Sequence, residues 1–552
     1  MTNIYSDIMM LKTIALAATF AHLSTATQWA QFCDDDNCSV NCGISVNLAN
    51  PGCLNENGRK SVKIHGTDIM LYSLVVSPRS NCPCQREKKK KTAFAMLHTA
   101  SSLLTTMLAL RKTHSKAIAY TALSFFLLGI LYLLSSHICY RDPGSVFFDP
   151  NRAYLALYSA VRQKQAAAYI EQATLSTQPK CQPDKLPKLC VAIASTTRPS
   201  VQYLDSAVGS LLVGLDPVER QEIYLILLIA HTNTSLHPAH NATWIDHVAD
   251  SILQYNALPP KEVEEIKLLE ISEDGIRQKT RIDYILLLEA CQRTGASQVL
   301  ILEDDVLAMD GWYHRSIAAA KEAYRRTWSM GLSDYLYVRL FWSERHQGWN
   351  KEEWPIYARN IVIFLSIQLA VLLAGRALLD GRLDSHQNDN NDEDPQVWHN
   401  GLRLPLMKSI VMLLIGNAFL IVSIFVAGRM SIFPYRGPIV QMPTYGCCTQ
   451  GLLYPSTRIP TVLRYLRHQG ELERQHEAGG IWVDQTIEKF ANEEHELRWA
   501  IVPSVLQHVG AVSATKQSLE KSSYHRIFSF SFETMDAEQL RREHQSIVDG
   551  LH

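Results

Sequence analysis

Residues 297–306 read Ser-Gln-Val-Leu-Ile-Leu-Glu-Asp-Asp-Val, an apolar run that ends in three consecutive carboxylic acids. The apolar part, Val299–Leu302, has the length and composition of a strand buried on both faces. Three carboxylates at a strand end repel one another unless a cation lies nearby. Mg²⁺ or Mn²⁺ carrying a nucleotide diphosphate would offset that repulsion. The triplet alone fits equally an acidic turn that closes a strand in any α/β protein.

Apolar runs and helical patterns alternate on both sides of this stretch. Strands are predicted at Leu189–Ala194, Ile223–Ile229, Ile266–Ile271 and Tyr335–Trp342, and helices at Tyr203–Leu212, Trp244–Leu253, Arg277–Arg293, Trp312–Arg326 and Pro460–His468. The alternation predicts an α/β domain with a doubly wound, largely parallel sheet. Ligands of such sheets bind beyond the carboxyl ends of the strands, where residues 196–198 and 303–305 fall.

Three apolar stretches divide the chain, and the middle one is uncharged over 360–375, between Arg359 and Arg376. We predict transmembrane helices at 117–140, 354–379 and 409–428, since about 20 apolar residues at 1.5 Å per residue cross a hydrocarbon core of about 30 Å. Buried helices of a soluble protein are the alternative. The segment between the last two spans, 380–408, is a polar acidic loop. Residues 188–353 and 429–516 each look incomplete, so we interpret them as two parts of one catalytic domain.

The N-terminal region has its own composition. Residues 1–26 are typical of a signal peptide, 27–92 are rich in cysteine, and 93–116 are basic and marginally apolar. Positive charge before the first span indicates a cytosolic flank. A signal peptide followed by a single span at 117–140 would instead leave the later chain in the cytosol. The later chain is lumenal if 93–110 forms another span or if residues 1–110 are an appended extension, which we favour. A stem at 141–187 and a tail at 517–552 complete the division.

The net charge of −1 argues against a nucleic-acid partner. A non-catalytic multispan protein, such as a transporter, is a second class to weigh. Transporters usually carry ionisable residues within their spans. The two cleanest spans here offer only His137, near one end, which disfavours this class.

Several motifs together resemble a known family. They are the Leu302-Glu303-Asp304-Asp305 turn, the Cys447-Cys448 pair before an aromatic-proline step, the Val483-Asp484 helix start, and residues 503–510, which read Pro-Ser-Val-Leu-Gln-His-Val-Gly. With a membrane hairpin inside an α/β domain, residues 111–516 resemble the Golgi GPI N-acetylgalactosamine transferases of the post-GPI-attachment factor four type. N-acetylglucosaminyltransferase IV is a more distant likeness, without the hairpin.

The resemblance implies a GT-A-like glycosyltransferase fold with a mixed sheet, and it assigns roles to individual residues. Asp305, with Glu303 and Asp304 nearby, would bind Mn²⁺ (or Mg²⁺) and the diphosphate of a UDP-sugar donor. His508 would be a second ligand of the metal, or a ligand of the diphosphate; a core or surface histidine is the alternative. Such chemistry needs a cation because negative charge develops on the nucleotide diphosphate as it leaves.

Further residues receive roles in the same way. Thr197 and Arg198 follow the first strand, where the donor nucleotide would lie. Asp484 would be the base that deprotonates the acceptor hydroxyl, although a helix N-cap explains an aspartate there equally well. The cysteines that we regard as disulfide candidates are Cys181, Cys190, Cys447 and Cys448.

The implied function is the transfer of N-acetylhexosamine, with GalNAc favoured, from a UDP-sugar to a mannose of the GPI-anchor glycan, with inversion. The acceptor would be a GPI-anchored protein or glycolipid, and the enzyme a multi-pass Golgi membrane protein with a lumenal catalytic domain. A related transferase acting on N-glycans is the enzymatic alternative.

Overall fold

The computed structural model describes residues 29–33, 46–47, 61–65, 116–175, 186–198, 200–272, 275–387, 406–443, 446, 448–475, 480–510 and 527–551. Several predicted features lie outside these residues: the signal peptide at 1–26, nearly all of the basic segment 93–116, most of the acidic loop 380–408, and Cys181 and Cys447.

The chain forms two units, residues 1–126 and 127–552. The described strands of the first unit make an antiparallel sheet with β1 in the centre. These strands are β1 (Trp29–Cys33), β2 (Val46–Asn47) and β3 (Ser61–His65).

The second unit contains the remaining described strands. They are β4 (Leu189–Ser195), β5 (Ile223–Ile229), β6 (Ser251–Leu253), β7 (Gln298–Glu303), β8 (Val306–Ala308), β9 (Tyr337–Arg339), β10 (Ile439–Gln441), β11 (Leu452–Pro455), β12 (Arg498–Ile501) and β13 (Leu506–His508). Eight of them form one sheet in the order β10-β12-β9-β11-β7-β4-β5-β6, and β8 pairs with β13.

This sheet is mixed, which confirms the α/β class. Strands β7, β4, β5 and β6 are parallel to one another, because helices connect them. Strand β11 joins antiparallel to both β7 and β9, and β10 joins antiparallel to β12. Strands β9 and β12 pair in parallel, so six of the eight strands run in one direction and β10 and β11 run opposite to them. The sheet is therefore largely parallel, as predicted, with two antiparallel strands.

The α-helices among the described residues lie on both faces of the sheet and beyond its edges. They are α1 (Lys116–Ile138), α2 (Pro150–Ala153), α3 (Tyr158–Leu175), α4 (Leu204–Leu212), α5 (Pro217–Gln221), α6 (Thr243–Val248), α7 (Pro260–Ile271), α8 (Gly275–Arg293), α9 (Trp312–Ser329), α10 (Trp354–Gln387), α11 (Leu406–Ala427), α12 (Arg429–Ile432), α13 (Ile459–Gln475), α14 (Val483–Glu493) and α15 (Ala537–Leu551).

Two predicted elements were wrong. The run Ile266–Ile271 is the end of helix α7 rather than a strand, since Pro260 starts a helix. Within that run Ile266 is buried, whereas Ile271 is 82% exposed, so the apolar residues do not all face a core. The helix predicted over Trp244–Leu253 ends at Val248 and continues as strand β6.

Two hydrophobic clusters cover the two faces of the sheet. Alternate residues of β4 point to opposite clusters: Leu189 and Val191 lie in one, Cys190 and Ala192 in the other. A disulfide joins Cys190 to Cys291 and ties β4 to α8. Cys190 was a predicted disulfide cysteine, but Cys291 was not; Cys448 is disulfide-bonded too.

Helices α10 and α11 carry the segments that are long and apolar enough to cross a membrane. They enter the domain between β9 and β10, and their apolar side chains are largely exposed, as for Val362 and Met412. Asn417 of α11 donates a hydrogen bond to Oε1 of Gln368 on α10 at 2.6 Å, which holds the two helices side by side. Helix α1 is also apolar, and its role as a span stays a prediction.

The ends of these helices meet on one face of the domain. The N–H of Val146, shortly after α1, donates to the carbonyl of Val426 near the end of α11 at 3.0 Å. Asp142 accepts a hydrogen bond from the N–H of Ser431 at 2.8 Å. Arg429, directly after the hairpin, donates to the carbonyl of Gln347, directly before it, at 2.9 Å. The chain therefore leaves and re-enters the domain at one place.

Candidate active site

The three carboxylates lie at the carboxyl end of β7, next to the end of β4. Glu303 is the last residue of β7 and pairs with Ala194 of β4, and Asp304 and Asp305 form the turn to β8. Asp304 and Asp305 are buried, at 4% and 8% exposure. Buried carboxylates need partners, and each of the three has a different set.

Asp304 is neutralised by Arg198. The guanidinium donates to both carboxylate oxygens at 2.7 and 2.6 Å, and Ser195 donates to Oδ2 at 2.5 Å. Burial alone would lower the pKa of Arg198, but the hydrogen bonds and charge of Asp304 raise it above its ordinary value. Arg198 thus stays charged, and the pair is a rigid bidentate contact.

A neutral histidine, His237, contacts the serine that binds Asp304. His237 accepts the N–H of Ala239 at Nδ1, so its Nε2–H faces Oγ of Ser195 at 3.0 Å. Burial lowers the pKa of His237 to about 4, and the charges of His231 and Arg198 add to the effect. The hydroxyl of Ser195 therefore accepts a hydrogen bond from the imidazole and donates one to Asp304.

Thr197 is held by the loop that follows β5. Its N–H donates to Nε2 of His231, and its hydroxyl donates to the carbonyl of Leu236, both at 2.9 Å. The residue is half-buried at the rim of the site. The loop thus fixes the chain next to Arg198.

Glu303 is bound by a segment that returns after the hairpin. Thr449 donates to Oε1 at 2.7 Å and Gln450 donates to Oε2 at 3.0 Å. Burial and, after it, the negative charge of Asp305 raise the pKa of Glu303 to about 7. Both oxygens of Glu303 are thus already used within the protein.

Asp305 and His508 face each other across the β8–β13 pair. Val306 and His508 are register partners, and Nε2 of His508 lies 3.5 Å from Oδ2 of Asp305. Burial alone would raise the pKa of Asp305, but His508 and Arg198 lower it. Among the described residues no donor reaches Oδ1 of Asp305, although this atom is buried. Buried carboxylate oxygens without partners are rare in folded proteins.

His508 has the orientation of a metal ligand. Its Nδ1 lies 3.0 Å from the carbonyl of Ile527, a contact that requires a proton on Nδ1 and leaves Nε2 as the lone-pair nitrogen in the neutral ring. Burial alone would lower the pKa of His508, but Asp305 raises it. Oδ1 of Asp305 and Nε2 of His508 are therefore the atoms of this centre that fit a divalent cation.

Asp484 lies in the first turn of α14, half-buried, and accepts the N–H of Gln485 at 2.8 Å. The N-cap of this helix is Trp482, so capping does not account for the aspartate. The negative charge of Asp484 contributes to the raised pKa of Glu303, after larger effects of burial and Asp305. Asp484 thus faces the acidic centre without contacting its carboxylates.

Fold and site together describe a membrane-associated α/β protein with a buried acidic centre at the carboxyl ends of its strands. Residues 189–507 match the family model described as GPI-N-acetylgalactosamine transferase PGAP4, more than half of the chain. The chain belongs to this family, which makes it a glycosyltransferase of GPI glycans. No curated protein shows significant similarity to it. The distant likeness to N-acetylglucosaminyltransferase IV is not confirmed.

Proposed function

We propose that this protein transfers N-acetylgalactosamine from a UDP-sugar to a mannose of the GPI glycan on an anchored protein or glycolipid. The domain at 188–353 and 429–516 would have a GT-A fold. The observation that carries the proposal is the buried carboxylate of Asp305, whose Oδ1 has no partner among the described residues and whose Oδ2 lies 3.5 Å from Nε2 of His508. Asp305 lies within the residues that match a family of GPI-glycan transferases, and His508 directly follows them.

The chain's own residues divide the work. Asp305 and His508 would hold Mn²⁺ or Mg²⁺, which supplies positive charge for the nucleotide diphosphate as it leaves. Arg198 and Ser195 hold the Asp304 carboxyl group in place through hydrogen bonds, and so fix the turn that carries Asp305. Residues around Thr197 would line the donor nucleotide, because they follow β4 at the ligand-binding edge of the sheet.

Asp484 is the group we assign as base. Its half-buried carboxylate can receive the proton of an acceptor hydroxyl, which then attacks the sugar from the face opposite the leaving group and inverts the configuration. The position at the rim, near but not within the cluster of Glu303 and Asp305, suits an acceptor that arrives from outside.

We place the enzyme in the Golgi membrane with its domain in the lumen. Three apolar helices that meet on one face of the domain would put the whole domain on one side of the bilayer. Arg111, Lys112 and Lys116 precede the first of them and favour a cytosolic start. The domain would then be lumenal.

The test compares Asp305→Asn with Asp205→Asn in the detergent-solubilised full chain; Asp205 is an exposed aspartate on α4. We expect Asp305→Asn to lose Mn²⁺-dependent UDP-GalNAc binding and to slow transfer to a GPI glycan roughly 100-fold or more, with normal thermal unfolding. Asp205→Asn should match the parent. Equal rates in both variants would remove Asp305 from the site. Transfer to N-glycans in place of GPI glycans would favour the enzymatic alternative.

A further inference from the structure

A second cluster of ligand-type side chains lies outside the proposed active site. Glu219 on α5, His314 on α9 and His544 on α15 each offer one ligand atom, and these atoms all lie within 4.8 Å of one another. The three residues come from distant parts of the chain. Helix α15 belongs to the segment 517–552, for which the sequence suggested only a tail.

The histidine of α15 is oriented as zinc-binding histidines are. Nδ1 of His544 lies 2.8 Å from Oδ1 of Asp310, and Nε2 lies 2.9 Å from Oε2 of Glu219. An imidazole that donates one N–H to a carboxylate and presents the other nitrogen to the cation is the common outer-shell arrangement of zinc sites. Asp310 therefore fixes the ring so that Nε2 points to Glu219.

The cluster also contains buried polar atoms without partners. Glu219 is 4% exposed, and its Oε1 has no hydrogen-bond partner among the described residues, nor has the buried Nδ1 of His314. Gly311 allows His314 this close approach, since a Cβ there would lie 2.5 Å from the ring. Two ligand-type atoms without partners therefore lie beside His544, which is rare for buried polar atoms.

We propose that Glu219, His314 and His544 bind a zinc ion that fastens helix α15 to the catalytic domain. Two imidazoles and one carboxylate are a preferred ligand set of Zn²⁺, with water in the fourth position. A cavity of about 390 Å³, lined by Asp310 and His544 among others, lies next to the cluster and can supply that water.

Zinc binding would release one proton from His544. Without metal, Nε2 of His544 keeps a proton that it shares with Glu219; zinc takes that position and the proton leaves to solvent. Ligands about 2.0–2.1 Å from a tetrahedral zinc lie roughly 3.4 Å apart, so the cluster would contract by up to about 1.4 Å. Rotation of the His314 side chain can supply that movement.

The test titrates Zn²⁺ alone into the chelator-treated full chain in detergent. We expect a zinc equivalent that His314→Ala, His544→Ala and Glu219→Gln each lose, and that Asp305→Asn and His468→Ala keep; His468 is an exposed histidine. Asp310→Asn should weaken zinc binding about 10–100-fold without abolishing it. Bound Co²⁺ should give the visible bands of tetrahedral coordination, and zinc should protect α15 from limited proteolysis.

The outcomes separate this site from the proposed active site. Loss of the zinc equivalent in Asp305→Asn alone would assign it to Asp305 and overturn the proposal, as would a parent chain that binds no zinc. Circular dichroism of each variant shows whether it is folded. If an alanine variant unfolds, the zinc binding of Glu219→Gln, the mildest of the three changes, tests the proposal in its place. Zinc binding unchanged in a folded Glu219→Gln and His314→Ala would also overturn it.

Discussion

The backbone at Gly510 passes so close to Asp305 and His508 that no side chain fits there. A Cβ at this position would lie 2.1 Å from Oδ2 of Asp305 and 2.9 Å from Nε2 of His508. The N–H of Val509, one residue earlier, also donates to the carbonyl of Asp305 at 2.9 Å. Glycine is required here for space, and the loop after β13 sets the distance between the two candidate ligands.

Gly510→Ala should therefore act on the site more than on the fold. The added methyl must push Asp305 or His508 aside, and a displacement of about 1 Å of reacting groups can cost roughly 100-fold in rate. We expect the rate of transfer to fall by about that factor, while the free energy of unfolding falls by about 1–3 kcal/mol, as for other overpacked positions. Transfer assays and thermal unfolding of the same preparation measure both.

Gly348→Ala is the matched control, because a Cβ there meets no atom within 4 Å. It should leave transfer unchanged. If Gly510→Ala is as active as Gly348→Ala, the spacing of Asp305 and His508 does not matter for the reaction.

The residues of the candidate site differ in how far the sequence predicts them. The acidic turn could be found because an apolar run and three carboxylates are adjacent in sequence, and His508 because it lies in a resembling motif. Ser195 and His237 could not, since the contact of Ser195 with Asp304 and that of His237 with Ser195 depend on how β4, β5 and β7 are placed side by side. Thr449 and Gln450 directly follow the Cys447-Cys448 pair, but nothing local in the sequence shows that they bind Glu303.

At the scale of elements, helix α14 holds the loop that reaches Glu303. Glu488 of α14 accepts from Arg339 and Arg498 at 2.6 Å each, and Arg339 also donates to the carbonyl of Cys448. A Cβ at Gly446 would lie 2.7 Å from the Glu488 carboxyl group. One buried carboxylate thus joins α14, β9 and β12 to the loop that carries Thr449.

Glu488→Gln removes the negative charge between two buried arginines. Uncompensated buried charges are costly, so we expect the free energy of unfolding to fall by about 3 kcal/mol and transfer to slow as the loop around Thr449 loosens. Chemical denaturation and transfer assays measure the two effects. Glu494→Gln, an exposed change just after the same helix, should do neither. A stable Glu488→Gln variant with slowed transfer would show that the charge positions the loop without holding the fold.

The elements themselves were predictable where they are long. Helices α8 and α9 and strands β4, β5 and β7 were anticipated, because their patterns persist over several turns or over a continuous apolar run. Short strands such as β10 and β13, three residues each, carry no periodic signal, and their pairing comes from distant partners. That is why the sequence did not predict the antiparallel pairings of β10 and β13.

At the scale of the molecule, the hairpin is an insertion that the domain closes around. Gln347 and Arg429 are hydrogen-bonded at 2.9 Å, and the rings of Trp349 and Phe425 are 4.6 Å apart, so the two ends of the hairpin nearly touch. These contacts hold the two halves of the domain together at the junction, so the hairpin itself is not needed to join them. We therefore expect the hairpin to have another role. An acceptor glycan attached to the bilayer gives that reason, because spans beside the domain would hold it at the membrane surface.

Replacement of the hairpin by a flexible linker of about 8 residues between Asn350 and Gly428 should show whether the hairpin is needed for catalysis itself or only for holding the domain at the membrane surface. We expect UDP-sugar hydrolysis and transfer to a detergent-soluble GPI glycan to persist, since the halves of the sheet still meet. Transfer to a GPI acceptor in vesicles should fall roughly 10-fold or more, because the domain loses its fixed distance from the bilayer. An unrelated transmembrane hairpin at the same junction should restore it. Full transfer in vesicles by the linker variant would show that α1 alone suffices and that the inserted helices serve some other purpose.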